Sequence, residues 1–142
     1  MQRKIAFKRL DPDVPVPRYA HDDDAGFDLF ARTEVTLAPG ERAQVPTGVA
    51  MVIPEGCVGL VWDKSGMSQV HGLKTLGGVV DAGYRGEVMV GIVNLGSEPY
   101  RIEKHHKVAQ MLVQDVLHVD LEEVDELPDS LRGNRGFGST GK

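Results

Sequence analysis

Short runs of Val, Ile and Leu, cut by turn signals at roughly ten-residue spacing, constrain this chain more than any other feature and point to an all-β sandwich or barrel. Residues 35–37 lead into Pro39-Gly40-Glu41, and residues 49–53 lead into Pro54-Glu55-Gly56. Further runs follow at 58–62, 86–94 and 108–119. Residues 88–93 are almost continuously apolar, which suggests a strand covered on both faces, in part by other subunits. Helical signals are weak. Residues 122–131 are short and charged and contain Pro128, so they read as a connector. Residues 65–70 have room for a single helical turn.

The chain has 142 residues, the size of one domain with its own core. Two zones are expected: a β domain over 1–131 and a glycine-rich tail over 132–142. The tail, RGNRGFGSTGK, has one large apolar side chain, Phe137, and little to bury, so it reads as flexible until it meets a ligand. The single cysteine, Cys57, leaves no internal disulfide possible and reads as a small buried hydrophobe. No apolar stretch is long enough for a signal peptide or a membrane span, so a cytoplasmic location is expected with no membrane partner. A net charge of −5 argues against nucleic-acid binding. An acidic protein that handles anions has to gather its cations locally.

Five segments carry possible chemistry. Asp22, Asp23, Asp24 and Asp28 set four carboxylates within seven residues, the residue type that holds a hard cation, although a solvated acidic turn is the simpler reading. Asp63-Lys64-Ser65-Gly66-Met67-Ser68 directly follows the run ending at Trp62 and offers a hydroxyl, backbone N–H groups and, from Lys64, an ammonium to an anion, although an ordinary turn is the simpler reading. The stretch 77–86 reads as a hairpin that holds Asp81 and Tyr84 in fixed relation, a general base beside a stacking surface. His105-His106-Lys107-Val108-Ala109-Gln110 reads as a polar turn entering a strand. Neighbouring strand side chains face opposite ways, which disfavours a shared zinc, and Gln110 is a lone amide that needs a partner. In the tail, Arg132, Arg135, Ser139 and Thr140 offer guanidinium and hydroxyl groups to phosphate, and Phe137 offers a ring to a base.

Together these segments resemble the five ordered motifs of the trimeric dUTPase family over essentially the whole chain. The matching stretches are DAGFDL at 24–29, KSG at 64–66, GVVDAGYRG at 78–86, KVAQ at 107–110 and RGNRGFGSTG at 132–141. Lys64 and Lys107 stand where the family usually has arginine, and Thr75 where many members have asparagine. The resemblance implies a jelly-roll-like β-barrel or prism subunit and a homotrimer with sites between subunits. It implies hydrolysis of dUTP to dUMP and pyrophosphate with Mg²⁺, which keeps uracil out of DNA and supplies dUMP for dTMP synthesis.

The same resemblance implies the residue roles. Asp81 activates the attacking water, and Tyr84 stacks on the deoxyribose. The backbone from Thr75 through Gly78 to Val80 reads uracil. Lys64, Ser65, Gly66 and Gln110 hold the α- and β-phosphates. Arg132, Ser139 and Thr140 close on the γ-phosphate, with Phe137 over the base, and Gly138 is substrate-binding. Asp28 lies in the outer shell of the magnesium ion. The related dCTP deaminases carry a glutamate on the strand after the hairpin. Gly91 holds that place here and has no side chain to relay a proton.

Overall fold

The computed structural model describes residues 3–138 and 141. The chain is all-β and jelly-roll-like, with one short helix among the described residues. Two four-stranded sheets face each other. The first is ordered β1 (Ala6–Arg9), β4 (Arg42–Val52), β8 (Glu87–Asn94), β6 (Leu73–Leu76). The second is ordered β2 (Phe27–Phe30), β10 (Lys107–Asp115), β5 (Cys57–Trp62), β7 (Val79–Val80). A small pair, β3 (Val35–Leu37) with β9 (Tyr100–Ile102), closes one side, and the strand pairings are antiparallel. Helix α1 (Ser65–His71) occupies the single turn expected there and ends on Gly72 in the left-handed conformation.

The core lies between the sheets. Val88, Val90 and Ile92 alternate inward from β8 and meet Leu29, Ala109 and Met111, all 1 % exposed or less. Cover on both faces is expected in part from other subunits, and the chain itself covers one face. Met89 points the other way and is 38 % exposed, so one face of β8 is covered within the chain and the other is open. Strand β10 ends at Asp115 rather than at residue 119. Strand β4 runs through Pro46, which a central strand tolerates only at a break in its ladder. The register slips between Pro46 and Ala50, Gly48 takes a φ of 71°, and Thr47 Oγ1 donates to the Val88 carbonyl at 2.6 Å.

The segment after Leu73 is not a simple hairpin. Strand β6 pairs with β8 in the first sheet, whereas β7 pairs with β5 in the second. The chain changes sheets at Gly77 and Gly78, where φ is 70° and 114°. A Cβ on Gly78 would lie 2.6 Å from the Val61 carbonyl oxygen, so only glycine fits the closest point of the crossing.

Candidate active site

Asp28 on β2, Gln110 on β10 and Trp62 on β5 form one rung across the second sheet. Residues directly opposite in antiparallel strands share a face, so these side chains are neighbours. Asp28 is 1 % exposed, between Phe27 and Leu29 in its strand. A buried carboxylate needs partners. Lys64 Nζ donates to its Oδ1 at 2.6 Å, and Lys107 Nζ lies 3.1 Å from its Oδ2. Burial pushes the Asp28 carboxyl up, but the bonds to Lys64 and Lys107 outweigh it and hold the group below the ordinary range. Two ammonium groups against one carboxylate leave one net positive charge, gathered locally in an acidic protein.

Gln110 Nε2 donates to the Asp63 carbonyl at 2.8 Å, which gives the lone amide its partner. Gly26 makes room for it, since a Cβ there would lie 2.8 Å from Gln110 Oε1. Beyond Asp63, Ser65 and Gly66 open the helix and are exposed, with nothing within 4 Å of a Cβ on Gly66.

Thr75 is buried, and both its N–H and its hydroxyl donate to Asp63 Oδ1, at 2.7 and 2.8 Å. Its side chain therefore faces the Lys64 loop. The Gly78 carbonyl accepts from Val61 N–H at 2.8 Å, and Val80 pairs with Gly59, which delivers the chain to Asp81. Asp81 is exposed. Tyr84 N–H donates to the Asp81 carbonyl at 3.1 Å, and Tyr84 Oη donates to the Glu87 carbonyl at 2.7 Å, so a turn fixes the acid and the ring together.

Lys64, Lys107, Gln110 and Asp28 thus converge at one end of the second sheet. Asp81 does not join them within the chain. Strand β7 runs antiparallel to β5, with Val79 beside Leu60 and Val80 beside Gly59. Asp81 therefore emerges level with Val58, about 13 Å of strand away from Trp62 at ~3.3 Å per residue. The tail is also apart. Arg132 and Arg135 bond to each other's carbonyls at 2.5 and 3.1 Å, and Phe137 and Gly138 are exposed. Ser139 and Thr140 lie outside the described residues.

The four early carboxylates do not converge either. Asp24 accepts from His21 N–H at 2.9 Å in its own turn, while Asp28 turns inward. Among the described residues no group of three or more His, Cys, Asp or Glu side chains could hold a metal, and the two histidines belong to the turn before β10. Asp63 lies in a segment the sequence singles out, but its role, a carboxylate that links the Lys64 loop to β6, is not legible there. Its only local signal was an acid between Trp62 and Lys64.

A sequence model of the family described as dUTPase matches residues 13–141. A deoxyuridine 5'-triphosphate nucleotidohydrolase of Mycolicibacterium gilvum is 50 % identical, covering 99 % of this chain and 97 % of that protein. One of Thermobifida fusca is 47 % identical, over 97 % of this chain and 79 % of its own length. Among solved structures, the dUTPase of Staphylococcus bacteriophage 80alpha with dUPNHPP superposes with a TM-score of 0.92 at 32 % identity, covering 99 % of this chain and 100 % of that one. A mutant dUTPase from phage phi11 of S. aureus, described with a structural Mg(II) ion, gives a TM-score of 0.81 at 29 % identity over 87 % of this chain and 98 % of that one. With a family match across most of its length and relatives this similar, the chain belongs to the dUTPase family.

Proposed function

We propose that the chain is a dUTP diphosphatase that hydrolyses dUTP to dUMP and pyrophosphate, keeping uracil out of DNA and supplying dUMP. The observation that carries this reading is the paired ammonium cluster of Lys64 and Lys107, held in place beside Gln110, in a chain that also fixes an exposed Asp81 to Tyr84 by one turn. Phosphoanhydride hydrolysis needs a held polyphosphate, a positioned water and a proton acceptor. Lys64, Ser65, Gly66 and Gln110 serve the α- and β-phosphates. Asp81 accepts the proton of a water whose oxygen attacks the α-phosphorus, and the bond to the β-phosphate oxygen breaks to release pyrophosphate. Tyr84 lies against the deoxyribose. The backbone from residue 76 to Val80 reads the uracil edge, with Thr75 anchoring it. Arg132, Gly138, Ser139 and Thr140 take the γ-phosphate, and Phe137 covers the base.

The distance between Asp81 and the Lys64 end of the same chain supports a homotrimer whose sites are completed between subunits. The open face of β8 around Met89 supports the same arrangement. The donor set fits Mg²⁺ in one form. Asp28, whose oxygens face Lys64 and Lys107, is the acid that would lie in the outer shell of such an ion, through water. When bound, the ion neutralises charge on the phosphate oxygens. Gly91, which has no side chain, supports hydrolysis over deamination. No helix among the described residues is long and apolar enough to cross a membrane, which accords with the proposed cytoplasmic location.

The test is a panel of dUTP, dTTP, dCTP and UTP with Mg²⁺, following pyrophosphate. A site whose buried polar groups pair with uracil rejects the wrong base by roughly 10⁴-fold. Comparable kcat/KM for dCTP or UTP would defeat the assignment.

A further inference from the structure

Asp63 belongs to none of the roles above, yet its two carboxylate oxygens and its carbonyl reach two strands of different sheets, β6 and β10. Oδ1 accepts from the N–H and the hydroxyl of Thr75 on β6, at 2.7 and 2.8 Å. Oδ2 pairs with Lys74 Nζ at 3.0 Å, and that ammonium also lies 5.9 Å from the Trp62 ring centroid. The carbonyl accepts from Gln110 on β10 at 2.8 Å. The next residue is Lys64. Strand β6 is the edge of its sheet, so an N–H directed away from β8 has no ladder partner there, and the Asp63 carboxylate supplies one. Asp63 directly follows β5 of the second sheet, so this contact is a strap between the two sheets just before the chain crosses from one to the other. Burial pushes the Asp63 carboxyl up, while the bonds from the Thr75 backbone, Lys74 and the Thr75 hydroxyl hold it below the ordinary range, so the strap is charged at neutral pH.

We propose that Asp63 is a positioning residue for base specificity. Its carboxylate fixes the start of the base-reading segment 76–80 within its own chain, so that the segment meets the nucleotide held by another subunit's Lys64–Gly66 loop in one fixed register. This rests on the dUTP reading. A nucleotide gripped at both ends is sensitive to the offset between the two grips, and a shift of about 1 Å costs up to ~10²-fold in rate. When chains share sites, the strap fixes the base-reading segment within its own chain, and the offset at each site follows from that placement together with the contact between subunits.

The experiment compares Asp63→Ala, Asp63→Asn and Thr75→Val in the full chain. Three quantities are read: kcat and KM for dUTP, the ratio of kcat/KM for dUTP over dCTP, and amide exchange of Thr75 without nucleotide. Asp63→Ala should raise the KM for dUTP about tenfold and lower the dUTP-to-dCTP ratio about tenfold, the cost of a loosened grip on one polar edge. Asp63→Asn keeps an oxygen for Thr75 and should restore the ratio to within about threefold of the parent. Thr75→Val keeps the N–H contact and should fall between them, and it decides the matter if Asp63→Ala does not fold. A role confined to stability would lower Tm and scale both substrates together, leaving the ratio unchanged. An unchanged ratio in the folded variants, or an Asn variant no better than the Ala variant, overturns the proposal. A parent protein that releases no pyrophosphate from dUTP sinks the substrate reading instead. The strap is then judged by Thr75 exchange, which should rise at least about tenfold in Asp63→Ala, and no rise would overturn it.

Discussion

Lys64 Nζ donates to Asp28 Oδ1 at 2.6 Å, across 36 residues of chain, and the acid is buried while the base keeps 28 % of its side chain exposed. The pair, with Lys107 on the other oxygen, is a preset cation cluster rather than two free lysines.

Acid should dissolve that cluster. A carboxyl held below its ordinary value contributes stability that is fully present above the unfolded pKa of about 3.9 and is lost as pH falls through the lower folded value. Asp28 and Asp63 both act in this sense. Tm measured by calorimetry should therefore drop from about pH 4 downward. Asp28→Asn should lower stability at pH 7 by about 1–3 kcal/mol and flatten the acid limb of the curve. An acid limb as steep as the parent's would remove Asp28 from the account.

Lys64→Ala should weaken binding of a non-hydrolysable dUTP analogue by about 1–3 kcal/mol, the range for a charge-assisted hydrogen bond. Lys64→Arg should be tolerated or bind more tightly, because a guanidinium can engage both Asp28 and phosphate through its fork. Calorimetric titration reads both. An unchanged Kd in the alanine variant would show that Lys64 lies outside the site.

Asp81→Asn keeps the shape of the turn and removes the proton acceptor. The expected result is a loss of at least about 10²-fold in kcat with analogue binding largely kept. Near-full turnover would end the assignment of Asp81 as the base.

Gly78→Ala introduces a Cβ 2.6 Å from the Val61 carbonyl at a φ of 114°. Strain of this kind costs about 1–3 kcal/mol, so Tm should fall by several degrees and the β6-to-β7 crossing should exchange faster. Parent-like Tm would mean that Gly78 does not lie against Val61 as described.

Shared sites predict complementation. Asp81→Ala chains and chains truncated after Leu131 should each be inactive alone. Unfolded together in equal amounts and refolded, they should recover about a quarter of parental activity, since an intact Asp81 and an intact tail each come from the right chain half the time. Silence from trimers whose mixing is verified by mass would sink the shared-site proposal and leave the hydrolase assignment standing.

The sequence by itself determined what is encoded locally. Turn residues marked the strand ends, and Gly40 and Gly56 do adopt positive φ where the turns were read. The apolar runs gave an all-β chain, the single helical turn fell at Ser65–His71, and the ordered motifs pointed to the family. Strands β1, β6 and β9 escaped notice because three or four residues of mixed polarity carry too little periodicity.

Tertiary structure alone decided which charges and which strands meet. Nothing near Asp28 in sequence marks Lys64 and Lys107 as its partners, nor does the stretch 73–81 announce that it divides between two sheets. Asp63 looked like a loop acid until Thr75, twelve residues later, was brought against it. The periodicity of a segment reports only which of its faces is apolar. Partners are chosen when distant segments compete to cover those faces, and a buried carboxylate is tolerated only where the winning arrangement also delivers its cations.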